Sequence, residues 1–148
     1  MTDGIPTEMD WADWRDDLDQ RHAHEIYAGR SNEEMQDRFV MAPVAAAGEL
    51  EFMPAKAFRY YMLGFRDSVL SGKHDDVEAA NAASCFIRLV QHKLATSPED
   101  IEPIAGQLMP ALEYIAENQG AFDAEVEIFG DFRELVNGIK ADLAKKDA

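Results

Sequence analysis

The sequence contains a single cysteine, Cys85, and no long apolar run. One cysteine excludes an intramolecular disulfide and a cysteine-rich metal site, and it is typical of a protein from a reducing compartment. No apolar stretch approaches the roughly 20 residues that span a bilayer, and the acidic start of the chain lacks the basic and apolar regions of a signal peptide. We therefore expect a cytoplasmic protein with no membrane partner.

Basic side chains are also scarce. The chain of 148 residues has 14 lysines and arginines against 29 acidic residues, which gives a formal net charge of −15. This charge makes nucleic acid a poor partner and a basic protein surface a good one. Because 47% of the residues are hydrophobic, we still expect a sizeable core in one domain, residues 1–148, with only about 1–7 and 146–148 untethered.

Motifs for catalysis and metal binding are missing. The sequence has no nucleophile elbow, no glycine-rich phosphate loop, no dinucleotide fingerprint and no His-Glu-x-x-His pair. His22 and Glu25 could share a helix face while His24 points to another side, and a solvated helix end accounts for all three. Cys85 is expected to be a small buried side chain. We predict no enzyme activity, no cofactor and no metal.

Apolar residues recur at helical spacing almost throughout the chain. This pattern predicts an all-α fold, a compact bundle of five or six helices. The cleanest helix starts at Pro54 and stops at Gly72. Its inward face is expected to carry Phe58, Tyr61, Met62, Phe65 and Val69.

Boundary signals place the other helices. An amphipathic helix is expected over 8–20, with an extension to Tyr27 left open and Gly29 as its end. A second helix opens with a capping box at 31–34, and a break follows at 45–50. A long helix is predicted over 75–94. After Ser97 and Pro98 the chain starts another helix, in which Pro103 and Pro110 favour a kink or a split. The last helix is expected over 122–145.

Charge is distributed unevenly along the chain. Residues 1–20 carry seven acids against Arg15, residues 99–134 carry ten acids against Arg133, and the middle of the chain is basic. The middle segment has a stripe of basic residues, which we expect to pair with the acidic helices of the same fold: Lys56, Arg59, Arg66 and Lys73. Each acidic segment is either a solvated face or a surface for a cationic partner.

Of the two acidic segments, the first is the better candidate for a partner-binding surface. It combines carboxylates with two tryptophans, which are either core residues or the centre of an interface. The candidate residues are Asp10, Trp11, Asp13, Trp14, Asp16 and Asp17. The second segment, around Asp123, Glu125, Glu127 and Asp131, has charge but is expected to keep Phe122, Val126 and Phe129 on a core face.

The run Leu-Glu-Phe-Met-Pro-Ala-Lys-Ala-Phe-Arg-Tyr-Tyr-Met at residues 50–62 resembles a family of small, acidic, helical bacterial proteins of unknown function. In that family a Ser or Thr stands where Met53 is found here. A second similarity joins Ser-Pro-Glu at 97–99 with Leu-Glu-Tyr-Ile at 112–115. The resemblance implies a helical fold and a role as an immunity-type protein beside a toxin, and it implies no catalytic residue.

Three classes of function are compatible with these observations. The leading hypothesis is a non-enzymatic protein-binding module that neutralises a basic partner, as an immunity protein covers a toxin. The second is a DNA mimic, whose carboxylates would be spaced like phosphates to occupy a nucleic-acid-binding cleft. The third is a structural or adaptor protein whose charge serves solubility.

Overall fold

A computed structural model of the chain describes residues 4–11 and 14–146. Over these residues the protein is all-α, as predicted, and contains no strand. The nine α-helices in this part of the chain exceed the predicted five or six. They are α1 (Leu18–Tyr27), α2 (Gln36–Met41), α3 (Pro43–Glu51), α4 (Ala55–Leu70), α5 (Asp76–Thr96), α6 (Pro98–Ile101), α7 (Ala105–Glu117), α8 (Val126–Phe129) and α9 (Phe132–Lys146). Short 3-10 helices cover Glu8–Trp11, Trp14–Asp16, Glu102–Ile104 and Gln119–Phe122. None of the described helices combines the length and hydropathy that crossing a bilayer requires.

α4 lies at the centre of the fold. It packs against α2, α3, α5, α6 and α7. All five residues of its predicted inward face are buried, which confirms that assignment. The aromatic side chains there also contact neighbouring helices, since the Phe65 ring lies 5.7 Å from that of Phe39 on α2 and 6.1 Å from that of Phe86 on α5. The surrounding helices are therefore positioned by their contacts with α4.

The predicted break at 45–50 is wrong, because α3 runs through it. Pro43 occupies the first position of α3, where its missing N–H costs nothing, and the alanines that follow favour a helix. The capping box before α2 is confirmed: Glu34 N–H donates to the Ser31 hydroxyl at 3.1 Å, and Ser31 N–H donates to the Glu34 carboxylate at 3.0 Å. The bond from Ser31 N–H to the carboxylate is the main reason that the pKa of Glu34 is lowered.

The prolines of the fifth predicted helix have different effects. Around Pro103 the chain splits into α6, a 3-10 turn and α7, whereas Pro110 lies inside α7. The predicted last helix over 122–145 is wrong in its first part. A 3-10 turn ends at Phe122, α8 has only four residues, and α9 starts after Gly130, whose φ of +83° ends α8.

A buried carboxylate joins the first three helices. Glu49 of α3 accepts a hydrogen bond from the Tyr27 hydroxyl at 2.8 Å and two from the Arg38 guanidinium, the one from Nε at 2.9 Å. His22 lies 3.4 Å from the same carboxylate. The Tyr61 hydroxyl of α4 lies 2.6 Å from the Tyr27 carbonyl oxygen, so the network extends to the central helix.

A buried lysine forms a second junction, among α4, α5 and α6. Lys93 Nζ lies 3.6 Å from Asp100 Oδ2 and 4.6 Å from the centre of the Phe58 ring. Burial lowers the pKa of Lys93, and the carboxylate of Asp100 opposes that shift. The predicted basic stripe pairs within the fold only in part. Lys56 lies 3.5 Å from Asp10, and Arg59 donates to the Asp100 backbone carbonyl at 3.4 Å. Arg66 pairs with the adjacent Asp67, whereas Lys73 lies beyond the end of α4.

Replacing Phe65 by alanine tests the central position of α4. Because Phe65 is fully buried, the substitution should lower the free energy of unfolding by about 3–5 kcal/mol. The matched control is Leu70→Ala on the same helix, where the side chain is 43% exposed and the loss should be much smaller. Chemical denaturation monitored by circular dichroism measures both, and equal losses would contradict the assigned core.

Tyr27 should make the protein sensitive to alkali. Burial, followed by the nearby Glu49 carboxylate, raises the pKa of Tyr27 well above its ordinary value of 10.0. Above that pH the unfolded chain loses a proton that the folded chain keeps, so the stability contributed by Tyr27 is complete below pH 10 and is lost as the pH rises further. In Tyr27→Phe the decline in unfolding free energy above pH 10 should be shallower than in the wild type.

Denaturation curves between pH 8 and 11 measure this difference, with Tyr114→Phe as the control because Tyr114 is half exposed. Burial also raises the pKa of Tyr61 and lowers that of Lys93, but both contributions are common to the two proteins and cancel in the comparison. Parallel curves for Tyr27→Phe and the wild type would contradict the prediction.

Candidate functional site

The first acidic segment does not form the single amphipathic helix expected over 8–20. Its described residues form two 3-10 turns, Glu8–Trp11 and Trp14–Asp16, and α1 begins at Leu18. Asp13 lies outside the described residues. The chain is packed even before residue 8, because Pro6 is buried. The described residues of this segment therefore pack against the helices, the first turn against α4 and the second against α1.

Both tryptophans of this segment are used within the fold. Trp11 has no exposed surface, and its ring lies 5.4 Å from that of His24 in an edge-on arrangement. Trp14 stacks on His24 with ring centres 3.8 Å apart and nearly parallel planes, and the Arg15 guanidinium lies 4.5 Å from the Trp14 ring. Trp11 is therefore a core residue and offers no surface to a partner in this conformation.

His24 is not part of a solvated helix end. Its side chain is mostly buried, and Nε2 lies 2.6 Å from the Glu8 carboxylate. Two aspartates of the segment are likewise engaged. Asp10 accepts a hydrogen bond from Thr7 N–H at 2.9 Å, and this bond is the main reason that its pKa is lowered. Asp17 caps α1 by accepting from the N–H groups of residues 19 and 20, whereas Asp16 is exposed. Much of this charge therefore stabilises local structure.

The second acidic segment, around α8, forms an open groove of about 620 Å³ with the first turns of α5. We call it the acid-rimmed groove. It is lined by Val77, Ala80, Asp123, Glu125, Ile128 and Phe129. Two of its apolar side chains are largely exposed to solvent: Val77 is 71% exposed and Ile128 is 70% exposed. Exposed apolar side chains with a polar rim are typical of an interaction surface.

The exposed apolar residues contradict the core face expected here. Val126 is 53% exposed, whereas Phe122 is buried as predicted and Phe129 is partly buried and packs against the core. The physical reason is that α8 ends at Gly130. α8 and α9 are therefore separate helices, and the side chains of α8 do not continue the buried face of α9. Asp131 marks the restart, because its carboxylate accepts from Arg133 N–H at 2.9 Å as a helix cap does.

One glutamine side chain fixes the shape of the segment that carries α8. Gln119 Nε2 donates to the carbonyl oxygens of Ala124 at 2.9 Å and Gly130 at 2.8 Å, and its Oε1 accepts from Phe132 N–H at 2.9 Å. Arg88 of α5 adds a bond to the Phe129 carbonyl at 3.0 Å. The two ends of the α8 segment are thereby held together and against α5. Sequence periodicity gives no sign of this clamp, because Gln119 acts through backbone groups.

The rim of the groove carries negative charge that the fold leaves unneutralised. Asp123, Glu125 and Glu127 are exposed, and none of them forms an ion pair with another described residue. Asp123 adopts a left-handed backbone conformation, φ +54°, at the start of the α8 segment. This conformation is one that aspartate tolerates better than most residues. The groove therefore presents an apolar floor beside free carboxylates.

Other candidate residues lie apart from this groove. His22 approaches Glu49, and His92 approaches Glu51 at 2.7 Å. Across residues 4–11 and 14–146, no three His, Cys, Asp or Glu side chains come together as metal ligands. Cys85 is half-buried, and burial raises the pKa of its thiol, which lowers its nucleophilic character at neutral pH.

Replacing Gln119 by alanine tests the clamp. The loss of three hydrogen bonds should lower the unfolding free energy by about 1–3 kcal/mol and should speed amide hydrogen exchange in residues 123–131. Gln107→Ala is the control, because that side chain is exposed on α7. Exchange measured by mass spectrometry should change in the first variant alone, and unchanged protection of residues 123–131 would contradict the clamp.

No protein-family model, curated protein or solved structure matches this chain.

Proposed function

We propose that this chain is a non-enzymatic, acidic protein-binding module that neutralises a basic protein partner, in the manner of an immunity protein beside a toxin. The observation that carries the proposal is the acid-rimmed groove, where exposed apolar side chains adjoin carboxylates with no ion-pair partner among the described residues. The groove replaces the first acidic segment as the favoured surface, since Trp11 is buried and Asp10 and Asp17 stabilise local structure.

The two components of the groove have different roles in binding. Carboxylates at an exposed rim accelerate association with a basic partner, and this effect weakens as salt screens the charges. Apolar side chains at the centre supply most of the affinity once water is excluded, so they govern dissociation. With a net charge of −15, the whole chain reinforces the attraction.

The apolar floor favours protein binding over DNA mimicry. A DNA mimic needs a continuous face of carboxylates, because the cleft it occupies is built to contact phosphates. In the groove, Val77 and Ile128 interrupt such a face with accessible apolar surface. The same surface argues against a charge that serves solubility alone, since an exposed apolar patch reduces solubility.

A pull-down with matched charge reversals tests the proposal. The groove pair combines Glu125→Lys with Glu127→Lys. The control pair combines Glu25→Lys on α1 with Glu33→Lys before α2, which makes the same change of charge at other exposed positions. From a lysate of the source organism at low salt, the wild type and the control pair should retain a basic protein that the groove pair loses. Equal retention by both pairs, or no basic protein on the wild type, would contradict the proposal.

A further inference from the structure

Several backbone groups around the acid-rimmed groove already bind within the fold. Gln119 occupies the carbonyl oxygens of Ala124 and Gly130, and Arg88 occupies that of Phe129. The N–H groups of Ile128 and Phe129 donate to the Glu125 carbonyl oxygen. These groups therefore hold the groove in shape, and the exposed side chains are its distinctive feature for a partner.

The absence of a strand edge among the described residues restricts the conformation of an occupant. An extended peptide binds by adding its backbone to the edge of a sheet, and the part of the chain that the structure describes contains no strand. At this groove an extended backbone would find no strand edge, so it would lose hydrogen bonds to water without a regular ladder to replace them, at a cost for each buried group. A helix avoids this cost because it satisfies its own backbone.

Charge and hydrophobicity define the side chains of that helix. An apolar stripe on the helix would contact Val77, Ile128 and Phe129. Lysine or arginine beside that stripe would pair with the free carboxylates of Asp123 and Glu125. Resting on the proposed function, we infer that the acid-rimmed groove docks a basic amphipathic helix of the partner protein. The groove thus accepts an apolar stripe only when cations flank it.

A second copy of this chain does not fit that description. Its basic stripe lies on α4, whose apolar face is already buried in the core. α9 likewise buries Phe132, Val136 and Ile139. Two copies, each with a net charge of −15, also repel one another. The helix must therefore come from a different protein.

Three synthetic peptides of about 18 residues, a length that can form a helix on binding, test the inference. The first places leucines at helical spacing among lysines. The second has the same composition in strict alternation, which favours a strand, and the third replaces the lysines of the first by glutamates. Only the first should bind, gaining helicity, with amide chemical shifts that change around Val77 and over 123–131.

Two apolar variants give the matched comparison. Ile128→Ser should weaken binding of the first peptide about tenfold, as expected for loss of an apolar anchor. Leu18→Ser should leave it unchanged, because Leu18 is equally exposed, at 76%, but lies on α1. Equal binding of the alternating peptide, equal effects of both variants, or shifts centred elsewhere would overturn the inference.

The outcome is distinguishable from failure of the proposed function. If the helical peptide does not bind while the pull-down still loses its basic protein with the Glu125 and Glu127 reversals, the helix inference fails and the proposed function stands. If the peptide binds as expected while the lysate yields no basic protein, the helix inference is supported and the proposed function fails.

Discussion

A buried carboxylate is the constraint on which the N-terminal half of this fold depends. Removing Glu49 from water is costly unless hydrogen bonds and an opposite charge replace its hydration. Tyr27 on α1 and Arg38 on α2 provide them, and the Tyr61 hydroxyl on α4 holds the Tyr27 carbonyl. Four helices must therefore adopt one mutual arrangement, because sliding any of them would leave a buried polar group unsatisfied.

The C-terminal third is held by a different means, and this difference determines which acids remain available. In the N-terminal part, Glu8, Asp10, Asp17 and Glu49 all bind within the fold. Around α8, the neutral side chain of Gln119 clamps the backbone instead, and so the neighbouring carboxylates are not needed for structure. The rim carboxylates of Asp123, Glu125 and Glu127 consequently remain without an ion pair among the described residues.

The sequence predicts the long elements of the fold well and the candidate site poorly. α4 and α5 are long enough for their apolar period to be clear, so their bounds and core residues are predicted closely. α3 is missed because its alanines have little periodicity, and α8 because four residues are just over one turn. Gly130 followed by Asp131 is a stop and start signal that could have separated α8 from α9. The burial of Trp11 depends on His24, which sequence spacing alone does not bring near.

Under the proposed function, the arrangement around α8 would let an acidic surface select among basic partners. Glu125 and Glu127 alternate along the chain with Val126 and Ile128, so one short element carries both the charge and the apolar surface. A purely cationic surface would lose hydration against the apolar side chains, and a purely apolar surface would bury carboxylates without partners, at a larger cost. Either mismatch disfavours the wrong partner, which is how selectivity against competitors arises. In the proposed function the groove would discriminate because carboxylates and apolar side chains lie close together, whereas net charge alone would attract all basic proteins equally.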